Sequence, residues 1–547
     1  MIFFLLTVII ICSLGLVQFY LSEKLELFRK YILSGLWLAI FITTMLICSN
    51  LAHVGLIFNS QSADYDFWQT IDGQYMNIFL TNWFYIAIVI SIYLFLTRKL
   101  YIQPLWFLVA LFALVLYMYY PGIPSADGID TSYNQYLTHS YTDFQPPLFT
   151  IWWNIFHVKS AAFIINSLFY YGGLIYISYF LHKKGLRWQN DILILFSLNP
   201  LMFTQLAIVW KDISFTGFLI DCVALYLAIS TVKSKNFRGI LWGIYFGITF
   251  LAIGFRFNGA VAILPFILVG IYKLLADCKF LKLKRIIFSG IIGLTVTALF
   301  IWANFLIAYR VFDAKPTNVQ GSVMLSNMIS MECFSNHEYK IETKYFLPAS
   351  EDSREIFCNR VINYYNNDAF FANWSGSGVM LNQATSDSEY KEVKSQWTSA
   401  LIDHPITFLL YRAEYFTNVL FYNYWYPTGT LSETPDLFSR IANYQHLDMK
   451  MELPIFMIAG TISLVFLCLY YQIFGLSLVI LISSILQLLS LYFLIPNHSA
   501  RYFFWDYIAV VLALGLISVD RKNTKADESS SKSEASIKQI KKIKSRK

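Results

Sequence analysis

Apolar stretches long enough to cross a membrane recur along the chain. A helix needs roughly 20 mostly apolar residues to cross about 30 Å of hydrocarbon. Scanning at that length predicts thirteen spans, each placed to within several residues: 1–20, 31–51, 77–96, 103–120, 160–181, 190–209, 213–231, 239–255, 258–273, 286–308, 453–471, 474–494 and 502–519. The stretches 239–255 and 258–273 are the shortest members of this pattern. The pattern predicts an all-α polytopic membrane protein.

Lysine and arginine are distributed unevenly among the turns. Basic turns alternate with turns poor in base, and the stretches 52–76 and 121–147 contain no Lys or Arg; the basic turns are 24–30, 98–99, 183–187, 233–238 and 279–285. Because basic turns face the cytoplasm, we expect the N-terminus outside and the C-terminus inside. The first stretch lacks a basic leader and a small-residue cleavage site, so it is predicted to be a retained anchor.

Two predicted outer segments are too long to be mere connectors. The organisation we expect is a membrane module over 1–308 whose first outer loop is 121–157, then an extracytoplasmic domain over 309–452 of mixed, mainly helical structure. Helices over 453–519 and a disordered, basic cytoplasmic tail over 520–547 follow. Since long loops in compact proteins are usually functional, we expect the chemistry on the outer face.

The amino-acid composition narrows the class of protein further. Hydrophobic residues make up 57% of the chain and charged residues 14%, against roughly 25% charged in soluble domains. Ten of the 41 basic residues lie in the last 27 positions, which indicates contact with lipid headgroups rather than nucleic acid. The chain has no Walker loop, no GxGxxG after a strand and no GxSxG elbow, so ATP-driven transport and serine hydrolysis lack support.

Two of the seven cysteines, Cys333 and Cys358, lie in the large outer segment. Outside the cytoplasm such a pair can oxidise, so a disulfide and two free thiols are both open alternatives. Cysteine and histidine nowhere have zinc spacing.

The first outer loop carries three carboxylates, Asp127, Asp130 and Asp143, and no base between 121 and 147 to neutralise them. One interpretation is an acidic surface loop that ends in the Pro146–Pro147 turn. The other is functional, because carboxylates at the membrane surface can bind a cation or deprotonate a hydroxyl.

Three basic residues lie at outer span ends, where few are expected: Lys211, Arg256 and Arg501. Each alone fits snorkelling to the interface. Together they indicate a bound anion, and a lipid-linked phosphate is the obvious one. Carboxylates and cations around an apolar groove fit displacement of a sugar from a polyprenyl phosphate by an acceptor hydroxyl, with an aspartate as general base.

Several short pieces resemble the GT-C class of membrane glycosyltransferases, in particular a bacterial branch of large multi-span members. They occur in the expected order along nearly the whole chain: PGIPSADGID (121–130), YTDFQPPL (141–148), WKDISF (210–215), FRFNG (255–259), the run with Trp397, Asp403–Pro405 and Tyr411–Arg412, and ARYFFW (500–505). Each piece alone is weak, and their order and placement make the set more specific.

The resemblance implies a GT-C-like fold with a catalytic Asp127, with Asp130 next to it. Its Asp-x-His-Pro-Pro element falls on Asp143–Pro147, but Gln145 stands where His is common, which puts any acid/base role of that position in doubt. It implies a jaw-like helix at 148–156 and an outer domain over the acceptor site. Whether a divalent metal ion (Mg or Mn) binds at Asp127 and Asp130 stays open. The substrate-binding candidates in the resembling pieces are Gln145, Lys211, Asp212, Arg256, Asn258, His404, Arg412, Arg501 and Tyr502.

The expected protein is therefore a multi-pass enzyme of the bacterial cytoplasmic membrane that uses a polyprenyl-phosphate-linked sugar and a glycan, lipid or protein acceptor. A polysaccharide polymerase or ligase is the nearest alternative, and it would rely on His404, Arg412 and Arg440. A transporter or flippase would have its charges at mid-membrane, where we noted only Asp221. A structural or assembly factor also stays open. The sequence does not name the sugar, the acceptor, the linkage or the oligomeric state.

Overall fold

The computed structural model describes residues 103–122, 131–143, 145–197, 206–256, 259–277, 282–335, 339–347, 349–365, 380–381, 386–421, 453–494 and 500–521. The predicted spans 1–20, 31–51 and 77–96 and most of the basic tail lie outside these residues. The described part is mainly helical. Its helices, numbered in chain order, are α1 Leu105–Tyr119, α2 Asn134–Thr138, α3 Ile151–Phe156, α4 Ala161–Lys183, α5 Arg187–Ser197, α6 Lys211–Thr231, α7 Lys235–Phe255, α8 Ala260–Leu274, α9 Lys282–Leu306, α10 Val319–Phe334, α11 Glu351–Tyr365, α12 Asp387–Asp403, α13 Pro405–Phe421, α14 Leu453–Tyr470, α15 Leu476–Leu494 and α16 504–521.

Five helices are long and apolar enough to cross a membrane: Ala161–Lys183, Lys211–Thr231, Lys235–Phe255, Leu283–Val311 and Leu476–Phe493. Three shorter apolar helices accompany them: Leu105–Tyr117, Ala260–Leu274 and Met457–Tyr470. This is the architecture of a helical membrane protein. Most predicted spans with described residues coincide with these helices, and 213–231 matches α6 within two residues at its start.

One predicted span differs from the structure. A single helix over 190–209 was expected, but α5 ends at Ser197 and Trp210 has an extended backbone directly before α6. The sequence contains Asn199-Pro200 between these points. A proline lacks the N–H that a continuing helix needs, and it disfavours helical backbone in the residue before it. The hydropathy scan is blind to that interruption.

The centre of the membrane module is α6, which packs against α4 on one side and α7 on the other. Close approach of α4 and α6 depends on small residues. A Cβ at Gly217 would lie 3.1 Å from Cβ of Phe169 on α4. Side chains of α6 such as Phe215, Phe218 and Leu219 are fully buried. The N-terminal end of α6 is therefore held rigidly between two neighbouring helices.

Helix α9 has the opposite character. It is the most apolar of the five long helices together with α15, yet only 17% of its apolar window is buried. Large side chains such as Leu294, Trp302 and Phe305 are exposed along it. Lipid tails are as apolar as leucine, so such a surface is suited to contact with lipid. Its last turn, Ile307–Val311, is a π-helix.

Helices α10, α11 and α12 form a separate small core with a two-stranded antiparallel sheet, β1 Phe346–Leu347 and β2 Met380–Leu381, in which Phe346 pairs with Leu381. Ile329, Phe357 and Val393 fill this core. A disulfide joins Cys333 of α10 to Cys358 of α11 across a sequence separation of 25. Of the two alternatives left open by the sequence, the oxidised pair is the one in the structure.

Helix α13 leaves that small core and joins the membrane module. Its residues Phe408, Tyr411 and Tyr415 belong to the main apolar core. The segment predicted as one outer domain therefore contains two parts, and α13 packs against α14 and α15.

Candidate functional site

The segment predicted to be the first outer loop is folded against the apolar helices at its proline turn. Pro147–Thr150 form a 3-10 turn that leads into the short helix α3, as expected for a segment too short to span. Phe149 packs edge to face on Phe255, the last residue of α7, with ring centroids 5.6 Å apart. The buried side chain of Gln145 is thereby held next to the start of α6 and the end of α7.

Lys211 is the first residue of α6, and its side chain is half-buried. Its Nζ donates a hydrogen bond to Oε1 of Gln145. The start of a helix carries a partial positive charge from its unpaired N–H groups. The ammonium group and the helix start therefore place positive charge at the same point, against the proline turn of the first outer loop.

Behind Lys211 lies a buried ion pair. Nη1 of Arg256, which follows the last residue of α7, is 2.9 Å from Oδ1 of Asp212. Arg256 is 5% exposed and Asp212 1%. The guanidinium also lies over two aromatic rings, 5.5 Å from the centroid of Phe215 and 5.4 Å from that of Tyr502. Arg256 thus ties α7 to the start of α6 and to the 3-10 turn Ala500–Phe503.

Glycine is needed where the chain passes this pair. A Cβ at Gly259 would lie 2.4 Å from a ring atom of Phe215, the same ring that lies against Arg256. Such a contact is shorter than any that side chains tolerate, so a larger residue at 259 displaces the ring. The FRFNG piece therefore carries its glycine for close packing beneath the arginine.

The start of α6 is fixed further by α4. Nδ2 of Asn166 donates a hydrogen bond to the carbonyl of Trp210 at 3.3 Å, and Oδ1 of Asn166 accepts one from the Ser214 hydroxyl. All three side chains are buried. These bonds make the backbone around Lys211 a preorganised part of the protein rather than a mobile turn.

Asp143 is held by several donors. Its Oδ2 accepts a hydrogen bond from the Tyr309 hydroxyl at 2.7 Å, and its Oδ1 accepts bonds from the backbone N–H and the hydroxyl of Thr317, at 2.7 and 2.6 Å. A parallel bridge between Thr142 and Lys315 adds backbone bonds beside them. A carboxylate with three donors anchors the first outer loop to the segment after α9.

The remaining predicted site residues fall into two groups: those that lie outside the described residues, and Arg412 with His404. Asp127, Asp130 and Asn258, and with them the expected catalytic and metal-binding carboxylates, lie outside the described residues, as does Arg440. Arg501 lies in the turn that contains Tyr502, and its side chain is outside them too. Among the described residues no group of three His, Cys, Asp or Glu side chains could hold a metal ion.

Arg412 and His404 lie elsewhere. Arg412 is fully buried; its guanidinium donates to the carbonyl oxygens of Tyr492 at 2.7 Å and Leu491 at 3.4 Å, and it lies 4.8 Å from the ring centroid of Tyr415. These are the orphan carbonyls at the end of α15. His404 is exposed between α12 and α13, with its ring 5.4 Å from that of Tyr339.

Ionised side chains beside the small core of α10 to α12 are a third set. Hydrogen bonds to Glu342 and then Glu392 raise the pKa of Lys344, and the bond from Lys344 lowers the pKa of Glu342. Burial raises the pKa of the neighbouring Tyr345 to about 12. These exposed pairs join the turn Thr343–Tyr345, directly before β1, to α12.

Sequence reasoning missed Asp506. It is 1% exposed near the start of α16, and its Oδ1 accepts a hydrogen bond from the Ser484 hydroxyl at 2.6 Å. Of the acidic residues inside predicted spans, the sequence analysis singled out only Asp221, although Asp506 lies inside the predicted span 502–519. The rule that ionisable residues in spans are functional by default would have found it.

The residues that meet are thus Gln145, Lys211, Asp212, Arg256 and Tyr502, five of the predicted substrate-binding residues. We call this set the basic cluster. Chemically, it offers a half-buried ammonium group, a helix start and a buried guanidinium on one side of the module. No family model matches the chain, and no curated protein or solved structure matches it either.

Proposed function

We propose that this protein is an integral membrane glycosyltransferase. It transfers a sugar from a polyprenyl-phosphate carrier to a cell-envelope acceptor, which is a glycan, a lipid or a protein. The observation that supports this most is the hydrogen bond between Lys211 at the start of α6 and Gln145 of the first outer loop, since the next residue, Asp212, forms the buried pair with Arg256. Three separate pieces of sequence meet there.

The membrane topology of the chain is part of this proposal. Thirteen spans, an outer N-terminus and an inner C-terminus put the starts of α6 and α16 and the end of α7 on the outer face of the bacterial cytoplasmic membrane. The small disulfide-containing core of α10 to α12 lies on the same face. An oxidised cysteine pair suits that compartment. The fold is proposed to be GT-C-like.

The proposed reaction is a single displacement at the anomeric carbon. An aspartate takes the proton from the acceptor hydroxyl, and the acceptor oxygen forms a bond to the anomeric carbon. The bond between that carbon and the phosphate oxygen breaks, and its electron pair stays on the polyprenyl phosphate. The base lowers the barrier by removing the proton as the new bond forms.

Lys211 holds the phosphate in this proposal. Its ammonium and the α6 N–H groups stabilise the charge that grows on the departing phosphate, and groups fixed beforehand do this best. Asn166, Trp210 and Ser214 provide that fixation. Gln145 keeps the lysine side chain extended toward the loop. The buried Arg256 is neutralised by Asp212 and supports the start of α6 rather than contacting the phosphate.

Asp127 is the proposed base and Asp130 its neighbour, on the basis of the resemblance. Asp143 is proposed as an anchor, since its carboxylate is occupied by Tyr309 and Thr317. A divalent cation, Mg or Mn, at Asp127 and Asp130 would help to bind the donor phosphate.

The alternatives differ in what they require. A polymerase or ligase would use Arg412, but this residue is buried and bonded to carbonyl groups of α15. A transporter would use carboxylates inside the membrane such as Asp221 and Asp506. The experiment below separates all three.

Surface glycans of the source cell are profiled by mass spectrometry in four strains: wild type, a deletion, and the deletion complemented with Asp127→Asn or with Asp352→Asn. Asp352 is an exposed acid of α11 and serves as the matched control. The proposal predicts loss of one sugar increment in the deletion and in Asp127→Asn, with rescue by Asp352→Asn. A collapsed chain-length distribution would favour a polymerase. Unchanged glycans in the deletion would favour transport.

A further inference from the structure

Helices α7 and α9 touch near their C-terminal ends. Nδ2 of Asn304 on α9 donates a hydrogen bond to the carbonyl of Phe250 on α7 at 3.3 Å, and the rings of Phe250 and Phe300 lie 5.3 Å apart. Gly254 of α7 lies directly against the Asn304 side chain. Because later residues of α7 meet later residues of α9, the two helices run in the same direction. Their contact closes the space between them at one end.

Toward their N-terminal ends the two helices separate. Gly243 and Gly247 lie seven and three residues before Phe250, on the same face of α7. A Cβ at either position would have no atom of the described residues within 4 Å. On α9, a Cβ at Gly293 would instead lie 2.5 Å from Cδ2 of Leu268 on α8. At this level α9 therefore packs on α8, and we call the open space in front of Gly243 and Gly247 the glycine groove.

The walls of the glycine groove are apolar. Helix α8 lies behind it, because α8 contacts α7 as well as α9: a Cβ at Gly270 of α8 would lie 2.9 Å from the Tyr245 ring of α7. Ile240 and Ile244, each three positions before one of the two glycines, are 59% and 46% exposed at its edge. The groove is therefore suited to a hydrocarbon chain.

The open end of the groove is strongly basic. Residues 232–240, around the start of α7, and residues 272–286, between the end of α8 and the start of α9, together contain eight Lys or Arg and one acid, Asp277. The side chains of Lys273 and Lys284 are exposed. The positive charge thus lies at the end where α7 and α9 separate, and it favours an anion there.

Two arginines at this end are partly buried and have donors to spare. The guanidinium of Arg285 lies 5.4 Å from the ring centroid of Tyr272, and Nη2 of Arg238 donates to the carbonyl of Val232 at 2.8 Å. In both arginines Nε is buried and has no hydrogen-bond partner among the residues that the structure describes. A guanidinium offers five donors in a geometry that matches phosphate.

The glycine groove is separate from the basic cluster. Arg238 is the fourth residue of α7, whereas Arg256 follows its last residue. At 1.5 Å per residue the two arginines are about 27 Å apart along the helix axis. A ligand at Arg238 is therefore not the one proposed for Lys211.

We propose that the glycine groove binds one phospholipid with an anionic headgroup. Its phosphate lies at Arg238 and Arg285, and one acyl chain lies along Gly243 and Gly247. Such a lipid matches the groove in both parts, because the groove is apolar along its length and positive at its open end. This inference goes beyond the proposed function and does not depend on it.

The test uses the purified full-length protein and two lipids with identical acyl chains, dioleoyl phosphatidylglycerol and the zwitterionic dioleoyl phosphatidylcholine. Native mass spectrometry over a lipid titration counts the bound lipids and gives the affinity of the first. We expect wild type to bind one phosphatidylglycerol at least about tenfold more tightly than phosphatidylcholine, because two guanidinium groups face the net charge of its headgroup.

The variant Arg238→Gln/Arg285→Gln should bind phosphatidylglycerol about tenfold more weakly and bind phosphatidylcholine as wild type does, which also shows that it is folded. The matched control, Lys233→Gln/Lys235→Gln, removes the same charge from exposed side chains at the start of α7. It should keep the wild-type affinity for both lipids. An equal loss in the lysine control would show unspecific attraction and overturn the inference.

A second pair of variants tests the groove itself. Gly243→Leu/Gly247→Leu should weaken both lipids at an unchanged unfolding temperature, because the larger side chains fill the groove. Gly172→Leu, at an equally open glycine of α4, is the control and should match wild type. Equal affinity of wild type for the two lipids would overturn the inference. Unchanged binding by Gly243→Leu/Gly247→Leu would do the same, since another part of the chain would then cover the groove.

Discussion

Nη1 of Arg256 lies 2.9 Å from Oδ1 of Asp212, and both side chains are buried between α6, α7 and the turn before α16. The two residues are 44 positions apart and come from two different helices, which are adjacent in the chain and antiparallel. Their pairing brings the end of α7 to the start of α6. The half-buried Lys211 therefore lies beside a buried positive charge that is already neutralised.

The first prediction concerns the stability of this pair. Removal of one partner leaves an uncompensated buried charge, which costs about 3–5 kcal/mol. We expect Arg256→Met and Asp212→Asn each to lower the unfolding temperature strongly, and the double variant to recover much of the loss. Differential scanning fluorimetry of the purified protein measures this. The exposed pair of Lys344 and Glu392 is the control, because exposed pairs contribute little. An additive double variant would contradict the account.

The second prediction concerns the phosphate contact. Removal of one preorganised group that stabilises developing charge typically costs about 10²–10³ in rate. We expect Lys211→Met to reduce sugar addition by about this factor and Gln145→Leu by less, because glutamine orients the lysine and carries no charge. The readout is the rate of sugar addition in complemented cells. Lys235→Met, at the exposed start of α7, is the matched control and should match wild type. Normal rates with Lys211→Met would refute the role.

The third prediction separates an anchor from a base. Asp143→Ala removes the acceptor for Tyr309 and Thr317, and Tyr309→Phe removes one of those donors. Both variants should make the first outer loop more sensitive to protease and lower sugar addition together, because a loosened loop misplaces Gln145. Limited proteolysis followed by mass spectrometry locates the cuts. A loss of activity in Asp143→Ala with wild-type protease resistance would instead make Asp143 a base.

The fourth prediction concerns the disulfide. In the chain-entropy view a bridge across a separation of 25 residues stabilises the folded state by about 3 kcal/mol. We expect Cys333→Ser and Cys358→Ser to lower the unfolding temperature of the small core equally, and the double variant to lower it no further. Mass spectrometry of the unfolded, maleimide-treated wild type should find two more adducts after reduction than before it, because the two sulfurs are joined. Equal numbers of adducts before and after reduction would contradict the bridge.

The helices were readable from the sequence, since α6 and α15 are long apolar runs whose ends are close to those expected. The break between α5 and α6 was missed because hydropathy does not register a proline. The sequence implied a contact between Lys211 and Gln145 only in that both residues were predicted to lie on the outer side of the membrane. Arg412 was predicted to be a site residue from the sequence. Its burial against the carbonyl groups of α15 depends on tertiary packing, which the sequence does not show. Asp506 was missed because the hydropathy scan averages over a window in which its apolar neighbours dominate.

The most direct test of the central claim is the amount of donor lipid in the cell. Total lipid extracts of wild type, the deletion, and the deletion complemented with wild type or Lys211→Met are compared by mass spectrometry for polyprenyl-phosphate-linked sugars. If the protein consumes such a donor, one species accumulates in the deletion and in Lys211→Met, and the wild-type copy returns it to its ordinary level. An identical set of polyprenyl-phosphate sugars in all four strains would contradict the account.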